Sequence, residues 1–356
     1  MQTDRHLTRV SATGAPAIHA YFDLCPESPD GSRVVYFEYI EGPPGRGRVV
    51  VASRDGSAPV VVGEAKHGNA HVGAMQQWLD DETVAYSDGG RSILAAADGS
   101  SRRELPAGVR MFSPDGGWAL TSSHHMRELG GGPDDPGVFV VDAATGEATR
   151  LFGRDECLAM HPARGEVKHP EHITFKHTKW APGGERFFCV FSNEPVIWQQ
   201  EGLVRVKGIY IARPDGSDLR YIKDFGHHPM WSPDGSFVYS HDRTGGGTQD
   251  LVAAPAGSGK EIVLWEDSPG VHGSLSPDME LVVADAYNRP SDGEGQILLL
   301  ERASGETREL ARMKLPDTTH QTGCHPHPVW SRDGRRVYFN SPDDGRPALY
   351  AVDLEG

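Results

Sequence analysis

The sequence predicts an all-β fold, a seven-bladed β-propeller whose ring is closed by the N-terminal strand. Three observations support this prediction. A turn motif occurs seven times, each copy is followed by a second apolar run that ends in a turn, and the last repeat stops after its third strand. Repeats of this kind are typical of propeller blades, which hold four strands each. The prediction treats residues 1–356 as one domain.

The repeated motif is an aromatic or apolar residue, a turn of the Pro-Asp-Gly type, and a run of β-branched and aromatic residues. This pattern predicts a tight hairpin, because proline presets the turn and glycine permits a positive φ. The seven copies begin at Glu27, Trp78, Phe112, Trp180, Trp231, Leu275 and Trp330. Because the tryptophans recur at one repeat position, we assign them to the core between blades rather than to sugar stacking.

The seventh repeat lacks a fourth strand before the chain ends at Gly356. The segment from His6 to Ser11 precedes the first full blade and has no other evident role. We expect it to supply the missing strand, because a closed ring leaves no exposed sheet edge. An open sandwich, or two domains divided near residue 160, are the alternatives, and no linker-like stretch favours them.

The charge balance limits the partners of this protein. The chain carries 35 basic and 50 acidic residues, a formal net charge of -15. Binding of nucleic acid or of an anionic membrane depends on a basic surface, so we expect neither partner. An acidic substrate would need locally concentrated positive charge, which a metal or some of the 17 histidines could supply.

The cellular compartment is predicted from three features that the sequence lacks. The four cysteines have unrelated spacings, the N-terminus lacks the order of a signal peptide, and no apolar run approaches the length of a membrane helix. These features favour a cytoplasmic location. A ring without free edges has no need to associate, so we expect a monomer or a weak homodimer.

A histidine stands three residues before the residue that opens the turn motif in each of the last four blades. These histidines are His177, His228, His272 and His327. Equivalent positions of a propeller are related by rotation about its axis, so the four side chains should ring one end of the channel. His325 lies two residues before His327, on the same strand face. One such histidine would suit strand capping, whereas four indicate a functional cluster.

Neutral imidazoles favour a divalent transition metal such as manganese, zinc, iron or nickel. The strongest predicted ligand set is His272, His325 and His327, because two of them share a strand and the third comes from the adjacent blade. His320 and Gln321 are both near enough in sequence to supply another ligand, and the spacing does not choose between them.

Four segments resemble the oligogalacturonate lyase family of pectin-degrading propellers, namely QTGCHPHPVWSRDGRRVYF, GHHPMWSPDG, VHGSLSPD and HAYFDLCPESPDG. The resemblance implies a cytoplasmic propeller that cleaves short uronic-acid oligomers by β-elimination. It also implies a divalent metal, Mn²⁺, held by His272, His325, His327 and Gln321. One departure is that Thr322 occupies the position of the family's glutamine, one residue from Gln321.

β-Elimination requires a base that removes the proton next to a carboxylate. His228 and His177 are the predicted candidates, because they lie beside the metal histidines in the ring and imidazole titrates near neutral pH. The resemblance adds Arg205. Where the family has a basic residue in blade 4 this chain has Gly208, and Arg205 or Lys207 could substitute.

Further residues are predicted to contact a sugar substrate. Arg243 could bind a second uronate carboxylate through both guanidinium branches, although a solvated loop arginine is an equal alternative. His19, Tyr21, His71 and Gln76 approach the same end of the channel from blades 1 and 2. We predict contacts with sugar hydroxyls for them, with packing or strand capping as the alternative for each.

The predicted function is therefore a metal-dependent lyase that cleaves short uronic-acid oligosaccharides to give an unsaturated uronate. A lyase or hydrolase for another uronate-containing glycan would use the same histidine ring. A non-catalytic propeller that binds proteins is the alternative from a different class, since a fold does not determine a function. It predicts no tightly bound metal.

Overall fold

Seven four-stranded antiparallel sheets make up the protein in its computed structural model. The structure describes residues 7–12, 14–122, 136–197, 203–224, 226–243, 249–257, 259–286, 293–314, 325–343 and 345–354. Each sheet is one blade of a propeller, with its first strand innermost. The predicted seven-bladed architecture is confirmed.

Blades 1 to 3 follow one another along the chain. Blade 1 consists of β2 (Ala17–Ile18), β3 (Arg33–Tyr39), β4 (Gly45–Ser53) and β5 (Val60–Gly68). Blade 2 consists of β6 (Gln77–Trp78), β7 (Thr83–Asp88), β8 (Arg91–Ala96) and β9 (Arg102–Leu105). Blade 3 consists of β10 (Met111–Phe112), β11 (Trp118–Ser122), β12 (Gly137–Asp142) and β13 (Ala148–Gly153).

Blades 4 to 6 repeat the same order. Blade 4 consists of β14 (Thr174–Trp180), β15 (Phe187–Ser192), β16 (Lys207–Ala212) and β17 (Arg220–Asp224). Blade 5 consists of β18 (His227–Trp231), β19 (Phe237–Arg243), β20 (Gln249–Pro255) and β21 (Ile262–Ser268). Blade 6 consists of β22 (Gly273–Leu275), β23 (Leu281–Ala286), β24 (Glu294–Glu301) and β25 (Thr307–Lys314).

Blade 7 joins the two ends of the chain. Its strands are β26 (Val329–Trp330), β27 (Arg336–Asp343), β28 (Arg346–Asp353) and β1 (Leu7–Arg9). β1 pairs with β28 in the register Leu7 to Val352 and Arg9 to Tyr350. The predicted closure by the N-terminal strand is confirmed, and it gives the last blade its outer strand.

Short helices lie only in connections within the described ranges. α1 (Arg154–Met160) and a single 3₁₀ turn (Pro170–His172) join blade 3 to blade 4, and α2 (Glu194–Ile197) follows β15. The buried Cys157 of α1 packs on the core of blade 4, and its carbonyl accepts a hydrogen bond from the Tyr210 hydroxyl at 2.8 Å. No helix among the described residues has the length and apolar character needed to cross a membrane.

The core lies between neighbouring sheets, where β-branched and aromatic side chains pack face to face. The four repeat tryptophans are 5% to 7% exposed. Three of them donate an indole hydrogen bond to a carbonyl of the preceding blade, namely Trp78 to Pro26 (2.7 Å), Trp231 to Lys179 (3.1 Å) and Trp330 to Ser274 (3.0 Å). The prediction that these rings belong to the core is confirmed.

Candidate metal centre

The backbone is left-handed at three of the four predicted repeat histidines. φ is 51° at His177, 53° at His228 and 48° at His327, and it is 53° at Met75, the equivalent residue of blade 2. In blades 4 and 5 the strand pairing shifts register at this point. Such a conformation is uncommon outside glycine and costs on the order of 1–3 kcal/mol. Its recurrence supports the structural equivalence predicted from the repeats.

Four histidines converge at one end of the channel. Their ring nitrogens include one atom from each of His71, His272, His325 and His327, all within 4.8 Å of one another. The ring centres of His71 and His325 lie 4.1 Å apart, and those of His272 and His327 lie 4.4 Å apart. The structure thus brings together the three predicted ligands. It adds His71, which the sequence suggested only as a sugar contact.

One carboxylate ties two of these histidines together. Asp285 of β23 accepts hydrogen bonds from the backbone N–H of His272 (2.8 Å) and of His327 (3.1 Å), which belong to adjacent blades. It also accepts a hydrogen bond from Nδ1 of His272 at 2.9 Å. A carboxylate on Nδ1 fixes the tautomer and the orientation of a histidine that binds a metal through Nε2. Sequence reasoning missed Asp285, although an acidic residue inside the apolar run LVVADA was a usable signal.

Side chains of blades 1 and 7 form hydrogen bonds with the backbone of the HPHP segment. The carbonyl of His327 lies 2.8 Å from Nε2 of His19, and the side chain of Asn340 donates to the carbonyl of His325 at 3.2 Å. Asn340 also accepts the backbone N–H of His19 at 3.0 Å. His19 is fully buried. Of the two predicted roles, this burial favours packing over a sugar contact, because the ring of His19 already supports His327.

The contacts of Gln76 also favour packing over the predicted sugar contact. Its side chain is 2% exposed. Its amide oxygen accepts a hydrogen bond from the backbone N–H of Ala74, and its amide nitrogen donates to the carbonyl of Ile18, both at 3.1 Å. Both ends of the Gln76 amide are therefore engaged in hydrogen bonds that join blades 1 and 2, which is a packing role.

Two aromatic rings form a floor beneath the histidines. The Tyr21 ring centre lies 4.7 Å from that of His327, and the Phe22 ring centre lies 5.0 Å from that of His272. His228 borders the group, with its ring centre 4.1 Å from that of His272. His177 is further out, stacked on Tyr21 at 6.3 Å.

Three further predicted site residues are either exposed or lie, in part or in whole, outside the described structure. Arg205 is exposed and precedes β16. Arg243 is the last residue of β19, and its side chain lies outside the described part of the structure. Gln321 lies outside the described residues altogether.

The histidine rings suit a metal electrostatically. Burial lowers the pKa of His228, His272 and His327 well below the usual value, and neighbouring histidines lower it further. These imidazoles are neutral at pH 7, the form that binds metal ions. Both ring nitrogens of the fully buried His327 lack a hydrogen-bond partner among the described residues. A buried polar atom normally has a partner, so this ring fits a metal ligand.

A buried charge cluster lies below the aromatic floor. The Asp23 carboxylate pairs with Arg110 and, at 2.9 Å, with Nζ of Lys179. Lys179 Nζ is 4.6 Å from the centre of the Phe22 ring. Asp23 and Lys179 also line a cavity of about 420 Å³ among the hairpin turns. Two cations against one anion give this interior a positive charge below the histidines.

Replacing Asp285 by asparagine should lower metal affinity about tenfold to a hundredfold, the usual cost of losing such a partner. Asparagine keeps the shape but has one acceptor oxygen for three N–H groups, so the orientation of His272 and His327 is loosened. Competition with a chelating dye measures the change. The matched control Asp267→Asn, an exposed position on β21, should bind like the parent. Equal metal affinity in a folded Asp285→Asn protein would contradict this role.

Two curated proteins with sequence similarity to this chain are named as lyases of oligogalacturonate or oligogalacturonide. No protein-family model matches the chain. The oligogalacturonate lyase of Dickeya dadantii is 23% identical over 230 residues, and the oligogalacturonide lyase of Pectobacterium atrosepticum is 22% identical over 233 residues. Each match covers 59% of this chain and 53% of the relative, so the chain matches about half the length of these proteins.

Solved structures give a likeness over nearly the whole chain. An oligogalacturonate lyase in complex with manganese superposes with a TM-score of 0.74 at 18% identity. The oligogalacturonate lyase of Vibrio parahaemolyticus gives 0.73 at 17% identity. Both alignments cover 99% of this chain and 94% of the other. At such identities the likeness establishes the fold alone. The chain thus resembles the oligogalacturonate lyases in sequence over part of its length and in fold over almost all of it.

Proposed function

We propose that this protein is a metal-dependent lyase that cleaves short uronic-acid oligosaccharides, oligogalacturonate in the first place, by β-elimination. The observation that carries the proposal is the group of four histidines whose ring nitrogens lie within 4.8 Å of one another. The names of the similar proteins support the substrate class. A cytoplasmic location is part of the proposal, and the free thiols of Cys25, Cys157 and Cys189 suit a reducing compartment.

The metal would be held by His71, His272, His325 and His327. We propose Mn²⁺, because one of the similar solved structures is a complex with manganese. Gln321 stays a proposed further ligand. When bound, such an ion supplies Lewis-acid stabilisation of the negative charge that develops on the substrate carboxylate.

His228 is the proposed base. Its ring centre is 4.1 Å from that of His272, which puts it beside the metal centre. Its Nδ1 is buried without a hydrogen-bond partner among the described residues, and the ring is neutral at pH 7. The proton next to the carboxylate would move to His228, the C–H electron pair would form the double bond, and the glycosidic oxygen would leave with its bonding pair. His177 and then Arg205 are the next candidates.

The substrate would lie above the aromatic floor. Tyr21 is the proposed sugar contact that remains in the right place, because its ring touches the histidine group. Arg243 stays a proposed carboxylate contact. His71 changes its proposed role from sugar contact to metal ligand. We expect the protein to act as a monomer or a weak homodimer.

One assay tests the proposal. The protein is purified without added metal, its metal content is measured, and digalacturonate is added while the ultraviolet absorbance of the unsaturated product is recorded. We expect a signal that a chelator abolishes and Mn²⁺ restores. Bound metal without unsaturated product from any uronate oligomer would reject the lyase. A protein that binds no metal would favour the protein-binding propeller.

A further inference from the structure

Three consecutive carbonyls of the HPHP segment are hydrogen-bonded to only two residues. The carbonyl of His325 accepts a hydrogen bond from Nδ2 of Asn340 at 3.2 Å. The carbonyl of Pro326 accepts one from the backbone N–H of Asn340 at 2.8 Å. The carbonyl of His327 lies 2.8 Å from Nε2 of His19. Asn340 and His19 thus bind the backbone of the segment that carries two of the four metal histidines.

The orientation of the Asn340 amide follows from its partners. A backbone N–H can only donate, so the amide oxygen must face the N–H of His19, which lies 3.0 Å away. The amide nitrogen then faces the carbonyl of His325. Asn340 is 1% exposed and His19 is fully buried. Both ends of this amide are therefore used inside the protein.

The conformation of the HPHP segment needs such support. φ at His327 is 48°, in the left-handed region that residues other than glycine seldom adopt. A residue keeps this conformation only where the surrounding structure fixes it. The N–H of His327 is bound by Asp285, and its carbonyl is bound by His19. Asn340 fixes the two residues that precede it.

Asn340 occupies the position in blade 7 that Asp285 occupies in blade 6. Each lies ten residues after the residue that opens the turn motif of its blade. Asp285 binds a backbone N–H of its own blade and another of the next blade. Asn340 binds carbonyls of its own blade and the backbone N–H of His19 in blade 1, the next blade around the ring. One repeat position thus supports the histidine segments of blades 6 and 7.

The bonds of Asn340 and His19 cross the seam between blades 7 and 1, where the ring closes. His19 directly follows β2, and Asn340 lies in β27. The metal histidines span the same seam. His71 follows blade 1, whereas His325 and His327 precede the first strand of blade 7. A metal held by these histidines would therefore join the two sides of the seam.

We propose that Asn340 and His19 are positioning residues of the metal centre, which set the HPHP segment for metal binding when blade 1 closes on blade 7. Metal binding and closure of the seam then stabilise each other, because coupling between two equilibria is reciprocal. This inference rests on the metal of the proposed function and adds to it that ring closure controls the metal affinity. It does not depend on the reaction.

Asn340→Ala is the first test variant. Its Mn²⁺ affinity, measured by competition with a chelating dye, should fall about tenfold to a hundredfold, the usual effect of losing a group that orients metal ligands. With Co²⁺ in place of Mn²⁺, the visible absorption bands should shift, because the ligand geometry changes. The matched control is Asn193→Ala. Asn193 is 4% exposed, and its amide likewise joins two backbone groups, the carbonyl of Val204 and the N–H of Val206. This control should lose stability but keep the parent's Mn²⁺ affinity and Co²⁺ spectrum.

His19 gives a second test, which does not depend on the folding of Asn340→Ala. His19→Phe keeps a ring but loses the N–H that faces the carbonyl of His327, so its Mn²⁺ affinity should fall about tenfold. His19→Gln places an amide N–H close to the position of Nε2 and should recover most of that loss. In the parent, hydrogen exchange of the peptide that contains the His19 N–H should slow when Mn²⁺ binds. The slowing should be smaller in Asn340→Ala, which lacks the acceptor of this N–H.

Other outcomes overturn the positioning role. Parent-like Mn²⁺ affinity in Asn340→Ala and His19→Phe, with only a lower Tm, would show that these bonds merely join blades 7 and 1. An equal loss of affinity in Asn193→Ala would mean that metal binding follows overall stability. Exchange of the His19 N–H that ignores Mn²⁺ would reject the coupling to ring closure. If the parent forms no unsaturated uronate yet Asn340→Ala binds Mn²⁺ more weakly, the lyase fails and the positioning role stands. If the parent binds no metal, both proposals fall.

Discussion

His327→Ala should lose its metal and about a thousandfold or more of kcat, since metal stabilisation of a developing charge is worth several kcal/mol. His327 is fully buried, and its ring lies 4.4 Å from that of His272 and 4.5 Å from that of His71. Neither ring nitrogen of His327 forms a hydrogen bond among the described residues, so no such bond explains the presence of the ring. Metal content per chain and the initial rate of unsaturated uronate formation measure the two losses.

Three companion variants separate the roles. His228→Ala should keep its metal and lose about 10²- to 10⁴-fold in rate, as expected for a base. His71→Ala should lose metal affinity if this residue is a ligand, whereas a sugar contact would change KM alone. His67→Ala, at an exposed position of β5, is the control and should match the parent. Full metal content and full rate in His327→Ala would reject the metal centre.

The fold could be predicted from the sequence because one local motif repeats. The Pro-Asp-Gly type turns fix the hairpin between the first two strands of each blade, and seven copies fix the number of blades. The closing strand followed from counting, since blade 7 lacked one strand and the segment around Leu7 to Arg9 was left over. Neither step required knowledge of any long-range contact.

The site could be predicted only as far as the repeat reaches. His272 and His327 stand at the repeat position, so their meeting follows from the rotation axis. His325 is two residues from His327, although the structure places both before β26 and not on the predicted strand face. His71 belongs to the connection between blades 1 and 2, where no repeat fixes the direction of a side chain. Asp285 lies on the second strand of its blade, and its bonds to two blades appear only after they pack.

The sequence predicts substrate contacts for His19 and Gln76 for a related reason. Both come from the correct end of the channel, and the sequence shows that they approach it. Hydrogen-bond partners are the missing information. The ring of His19 is hydrogen-bonded to the carbonyl of His327. The side-chain amide of Gln76 is hydrogen-bonded to backbone groups of Ala74 and Ile18. These pairings arise between blades and have no local signature.

Asp23→Asn should lower the free energy of unfolding by about 3–5 kcal/mol, the cost of breaking a buried ion pair by removing one partner. Asp23 is the only acid that pairs with both Arg110 and Lys179 in the described structure, and the three side chains are 1% to 4% exposed. Burial would raise the pKa of Asp23, but the two cations lower it below its usual value. The amide keeps the shape and leaves two buried cations facing each other.

Lys179→Met should cost clearly less, because it leaves the Asp23–Arg110 pair neutral and an apolar side chain near Phe22. Denaturant unfolding of the parent, both single variants and the double variant gives the coupling energy. We expect the loss in Asp23→Asn to be partly recovered when Lys179→Met is added. If the two single losses simply add, the cluster does not act as a unit.

The parent and Lys179→Met also test the charge on Lys179, through the pH dependence of their free energies of unfolding. Burial is the largest cause that lowers the pKa of Lys179, from 10.5 to about 8, and the charge of Arg110 adds to it while Asp23 opposes it. Between these two pKa values the unfolded chain keeps a proton that the folded chain has released, so the free energy of unfolding rises with pH across that window. Lys179→Met lacks this rise, and Lys207, whose pKa burial also lowers to about 8, contributes equally to both proteins. Between pH 7.5 and pH 10 the parent should therefore gain about 2 kcal/mol over Lys179→Met. A constant difference would mean that folding does not lower the pKa of Lys179, so that burial of its ammonium carries no cost.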